Sequence, residues 1–196
     1  MIGTYRFLSK GSLMMIAVFC IAVSSGCIAR PTPDSLVIQR TAYFKQGAVV
    51  GDKIRDECGL EQEVPHYIKK YAEGNYDSIF LSDTLSNATP AKVLVMKIAN
   101  AQGLGGGRYS GPKSLTVEGT LTQNEKVLGS FVVQRATMGG YGGGSKGTCG
   151  LLVTRCAKKI GKDVGEWLRK PTINAVLGTA KDGGKTADAA DTEEKD

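Results

Sequence analysis

The chain has 196 residues, 41% of them hydrophobic, with 25 Lys and Arg against 19 Asp and Glu and a formal net charge of +6. That length and apolar content suit one domain with a real core and exclude a wholly disordered chain. A single histidine, His66, and the lack of any Cys-x-x-Cys leave little from which to build a zinc site, so no metal and no cofactor is expected.

Arg6 and Lys10 precede an apolar run from Leu13 to Val23, and Ser24-Ser25-Gly26-Cys27 follows at once. A charged start, a short apolar stretch and small residues at the exit read as a secretory signal over residues 1–26. The run is too short for a comfortable membrane span, which needs about 20 apolar residues. Small residues directly before Cys27 resemble the lipobox of bacterial lipoproteins. The resemblance implies that the Cys27 thiol is acylated, that Cys27 opens the mature protein, and that the membrane is a partner through this lipid. Ile28 stands second, where an Asp retains enteric lipoproteins in the inner membrane. The resemblance therefore implies an outer-membrane lipoprotein facing the periplasm. Ordinary signal cleavage near Ser24 to Gly26, giving a soluble periplasmic or secreted protein, is the alternative.

Residues 27–35 carry two prolines and read as a tether. The domain is expected over residues 36–172. Leu36 and Ile38, with Thr41 to Phe44, suggest a first strand, and Gly47 to Gly51 extends it or forms a second. A helical region spans about Asp56 to Ala72, because Leu60, Val64, Ile68 and Tyr71 share one helix face. Pro65 predicts a kink or a fresh start within it. Tyr76 to Leu81 and Ala91 to Ala99 look strand-like. Leu115 to Leu121 and Val127 to Val133 alternate apolar with polar residues, and Thr122 to Lys126 reads as the turn of a hairpin. Cys149, Val153, Cys156, Ile160, Val164 and Trp167 form the stripe of a second helix, which Pro171 ends. These elements predict an α+β fold: a largely antiparallel sheet of four to five strands with two helices packed on one face. Residues 173–196 are read as a disordered tail, since the chain from Gly178 onward holds no aromatic and no large aliphatic residue.

Charge is uneven. Residues 27–177 hold 20 Lys and Arg against 13 Asp and Glu, a surplus of +7, whereas the remaining tail has three Lys against six acids, or −3. A basic exported domain suits anionic envelope polymers or headgroups. Nucleic acid is not an expected partner, because the signal exports the chain and no aromatic–basic RNA-binding motif occurs.

Two glycine-rich loops are the candidate contact sites. In the first, Gly103 to Ser114, Pro112 separates Gly111 from Lys113 and a strand follows, so it is no phosphate-binding P-loop. Arg108, Tyr109 and Lys113 are its candidate ligand or partner contacts. The second, Gly139 to Thr148, leads into the second helix, with Thr148 placed to cap it. Tyr141 and Lys146 are its candidates, and the helix start suits an anion. No catalytic residue is assigned: His66 has no nucleophile or carboxylate at a suggestive spacing, and Gly-x-Ser-x-Gly is absent.

Of the three cysteines left after the signal and the lipid site, Cys149 and Cys156 are too far apart to pair if both are helical, about 10.5 Å along the axis. Cys58 begins the first helical region and Cys149 the second. Cys58–Cys149 is the expected disulfide, with Cys156 a buried free thiol. Cys58–Cys156 and three reduced thiols are the alternatives.

The segments Asp56-Glu-Cys-Gly-Leu60, Gly105-Gly-Gly to Ser114, Lys126-Val-Leu-Gly-Ser-Phe131, Gly147-Thr-Cys149 and Gly161 through Leu168 are similar to a group of uncharacterised proteobacterial envelope proteins. That resemblance covers about residues 48–171 and implies a location but no activity. The function expected is a non-enzymatic binding or assembly accessory of the envelope, with another envelope protein or an anionic envelope polymer as partner. An envelope enzyme acting on cell-wall or glycan material, and a carrier of an anionic ligand, are the alternatives.

Overall fold

The computed structural model describes residues 32–85, 90–103, 111–137 and 147–179. Strands β1 (Ser35–Gln39) and β2 (Tyr43–Val50) are followed by helices α1 (Asp52–Glu57) and α2 (Leu60–Ala72). Then come β3 (Ser78–Ser82), β4 (Lys92–Gly103), β5 (Lys113–Gln123) and β6 (Lys126–Thr137). A continuous C-terminal helix follows, made of α3 (Gly147–Leu151), a π-helical stretch (Leu152–Ala157) and α4 (Lys158–Trp167), and β7 (Ala175–Gly178) comes last.

The class is α+β, as expected, but the sheet has seven strands and is mixed. Its order is β3-β1-β4-β5-β6-β7, with β2 also against β4. Only β4–β5 and β5–β6 are antiparallel; β1–β3, β1–β4, β2–β4 and β6–β7 are parallel. For β1–β3 and β6–β7 the cause is helical connection. A helix between two strands carries the chain back to the end where the first strand began, so the strands run the same way. This happens across α1 and α2 between β1 and β3, and again across the C-terminal helix between β6 and β7.

The expected pair of helices on one face is present, with short α1 added. α2 and the C-terminal helix cover the face that carries Leu36, Ile38, Met96, Val117 and Val133, all buried in one core with Ile68, Ile160 and Val164. Trp167 belongs to this core, edge-on to Phe131 with ring centroids 4.9 Å apart. Gly161 and Gly165 bring the two helices close. A Cβ at Gly165 would lie 2.6 Å from the Tyr71 carbonyl oxygen, and one at Gly161 would lie 2.7 Å from the Tyr67 Cβ. On the opposite face, the bare side of β4–β7 carries exposed Val127, Val132 and Val176.

The first helical region differs from expectation in detail. It begins earlier, at Asp52, and is cut in two by Gly59, whose φ of 61° is left-handed. Pro65 lies inside α2 and is buried. Having no N–H, it leaves the carbonyl of Glu61 without its helical donor. The backbone N–H of Ala42, between β1 and β2, donates to that carbonyl at 2.8 Å. Proline thus becomes a joint between helix and sheet.

The folded body also runs past residue 172. β7 adds to β6 in register from Phe131↔Ala175 to Gln134↔Gly178. Thr179 then donates its N–H (2.9 Å) and its hydroxyl (2.8 Å) to the Gln134 carbonyl. Four residues are too short a run to show a sequence period, so residues 175–178 read as tail in the sequence alone.

Candidate functional site

Both glycine-rich loops are rooted at one place, the first joining β4 to β5 and the second joining β6 to α3. Gly103 ends β4, Lys113 opens β5 and Thr137 ends β6, and these three residues face one another in register. Thr148, in the first turn of α3, closes the group: a Cβ on Gly103 would meet its methyl at 2.4 Å. Thr148 is therefore inside the helix and does not cap it. Gly147, with φ 62°, opens the helix instead.

Cys58, the C-cap of α1, is disulfide-bonded to Cys149 with a Cα separation of 4.8 Å, and Cys156 is free and buried. The expected pairing is the one formed. It fastens the α1–α2 junction to the first turn of the C-terminal helix, directly beside the second glycine-rich segment. Burial pushes the Cys156 thiol up to about 11, and its Sγ faces the Lys113 carbonyl at 3.9 Å.

Lys113 departs from its expected role. Expected as a ligand or partner contact of the first loop, it is the first residue of β5 and its side chain is fully buried. Its stem packs against Gly103, where an added Cβ would lie 2.8 Å from Cδ, and its ammonium donates to the Gly111 carbonyl at 2.8 Å. Burial lowers its pKa. The side chain braces the base of the first loop. Strand parity explains the difference: Lys113 shares the helix-side face with Leu115 and Val117, and position in a glycine-rich stretch did not reveal that. Arg108, Tyr109, Tyr141, Lys146 and Cys27 lie outside the described residues.

The other end of the domain carries the start of the described chain. The Thr32 N–H donates to the Ser35 hydroxyl, and the Gln123 amide donates to the carbonyls of Pro33 and Pro90. Ser35, Lys92 and Gln123 mark the ends of β1, β4 and β5 there. The bases of both glycine-rich loops are thus a full strand length away, about 35 Å for the 11 residues of β5. Neither α1 nor the row at the loop bases brings a nucleophile to a base. His66 is exposed on α2 beside Tyr67. Among the described residues, no three His, Cys, Asp or Glu groups converge as a metal site. A hollow of about 450 Å³ lies on the bare sheet face between Val95, Lys97, Glu118, Thr120, Val132 and Val176. Lys45 reaches across that face to Glu118 at 2.7 Å. No described helix is long and apolar enough to cross a membrane.

No family model matches the chain, and no curated protein matches it. Among solved structures it is similar to a PelC dodecamer from Paraburkholderia phytofirmans, at 12% identity over 68% of this chain and 90% of that one, with a TM-score of 0.41. It is similar to an uncharacterized protein at 12% identity over 71% and 93%, with a TM-score of 0.41. A minor lipoprotein from Acinetobacter baumannii matches at 11% identity over 71% and 90%, with a TM-score of 0.34. At these values the likenesses add nothing to what the residues themselves say.

Proposed function

We propose that this protein is a non-enzymatic accessory of the bacterial cell envelope, anchored by acylated Cys27 and presenting its glycine-loop end to a partner. The observation that carries the reading is polar: the tether enters at one end of the sheet, and both glycine-rich segments are rooted at the other, in the Gly103–Lys113–Thr137 row. A lipid at Cys27 holds the first end at the membrane, and the second then faces the periplasm. Two acyl chains give lasting attachment where one would be marginal. The partner is another envelope protein or an anionic envelope polymer. Arg108 and Lys146 supply charge, and Tyr109 and Tyr141 supply rigid amphipathic surface for it. Lys113 and the Cys58–Cys149 bridge hold the loop bases in place.

Two measurements test this. Metabolic labelling with a fatty-acid analogue is expected to mark the wild type and not Cys27→Ser; equal labelling refutes the anchor. A photo-crosslinker at Tyr109 or Tyr141 in native membranes is expected to capture a partner, and one at His66 on the helical face is not. Capture from His66 alone would refute the orientation.

A further inference from the structure

The exposed side of the C-terminal helix carries a run of cations. Arg155, Lys158, Lys159 and Lys162 fall within eight residues, with no acid among them. Arg155, Lys158 and Lys162 are exposed and Lys159 is half-buried. The first acid after them, Asp163, is already engaged: Arg135 on β6 holds both its carboxylate oxygens at 2.6 Å. Lys162 leans over the Tyr71 ring, 5.6 Å from its centroid. Among the described residues Arg155, Lys158 and Lys162 have no carboxylate partner.

The chain leaves the folded body beside this run. Gly178 has a left-handed φ of 69°, and a Cβ there would lie 3.1 Å from the Arg135 Nε, the guanidinium that grips the helix at Asp163. Thr179 is pinned at the same place by its two hydrogen bonds to Gln134. Beyond it come Asp182, Asp188, Asp191, Glu193, Glu194 and Asp196, against Lys181, Lys185 and Lys195. An extended chain covers about 3.3 Å per residue, so nine residues bring Asp188 up to about 30 Å from Thr179. The cationic run is about 10 Å long on a helix. Every tail acid from Asp188 onward can reach it.

We infer that the acidic segment Asp188–Asp196 docks on the cationic run Arg155–Lys162 and screens it from other anions. Attachment at Thr179 makes this an intramolecular contact at millimolar effective concentration. The segment has no apolar side chain larger than alanine, so the contact is electrostatic and salt-labile. It does not depend on the reading of the glycine-loop end.

Carbodiimide coupling of the purified full-length protein, at micromolar concentration, tests it. Peptide mapping is expected to find isopeptide bonds from Lys158 or Lys162 to carboxylates of 188–196, within monomers. Their yield should fall about fivefold or more between low salt and about 0.5 M salt. Full-length Asp188→Asn/Asp191→Asn/Glu193→Gln/Glu194→Gln, which changes none of the described residues, should lose Lys158 modification to the same extent. Bonds absent, bonds only between molecules, or bonds spread equally onto Lys53 and Lys126 would overturn the inference.

Discussion

Removing the Cys58–Cys149 bridge is the sharpest test of how this domain is held together. The bridge spans 91 residues of sequence. In the chain-entropy picture, closing such a loop removes about 4.6 kcal/mol of unfolded-state freedom, and measured losses usually come to about 2–4 kcal/mol. For a body of this size that corresponds to a fall in Tm of roughly 6–16 °C. Cys58→Ser, Cys149→Ser and the double variant should melt together, since each breaks the same bond. Wild type in strong reductant should join them. Cys156→Ser should stay much closer to wild type, within about 1 kcal/mol, because the Lys113 carbonyl stands ready to accept from a hydroxyl there. Scanning calorimetry with and without reductant reads all five cases. Variants that melt with the oxidised wild type, or that differ from one another by many degrees, would show that the bridge does not hold the domain in this way.

Three further outcomes follow from the packing. Gly165→Ala should destabilise by about 1–2 kcal/mol in chemical denaturation, although helix propensity alone favours alanine by about 1 kcal/mol, because the new methyl would strike the Tyr71 backbone; a gain in stability would show that α2 and α4 are not in such close contact. The Cys156 thiol stays protonated in the folded state above its ordinary value of 9.0. Its contribution to stability is therefore whole below pH 9 and lost as pH rises towards about 11, a loss that Cys156→Ala should remove from the alkaline limb of the stability curve. Truncation after Thr179 should leave Tm within about 2 °C, since exposed ion pairs contribute little; a larger fall would mean that the tail packs as well as docks.

The parts that repeat a local pattern are legible in the amino-acid order alone. Leu60, Val64 and Ile68 recur at helical spacing and line one buried face of α2, and the stripe from Cys149 to Trp167 gives the C-terminal helix. Alternation in β5 and β6 marks their hairpin, helix length excludes Cys149–Cys156, and the placing of Cys58 and Cys149 at two helix starts favours the pair that forms. The remaining features depend on contacts between residues far apart in the chain. Strand direction follows from which connections are helical, so the mixed sheet and the parallel addition of β7 were not visible in residues 175–178. Pro65 reads locally as a break, yet its cost is met by a distant donor, the Ala42 N–H on the Glu61 carbonyl. Lys113 reads as a loop cation, yet strand register turns it inward against Gly103. A charge is placed by the face it lands on, and a face is fixed only when neighbouring strands are in register.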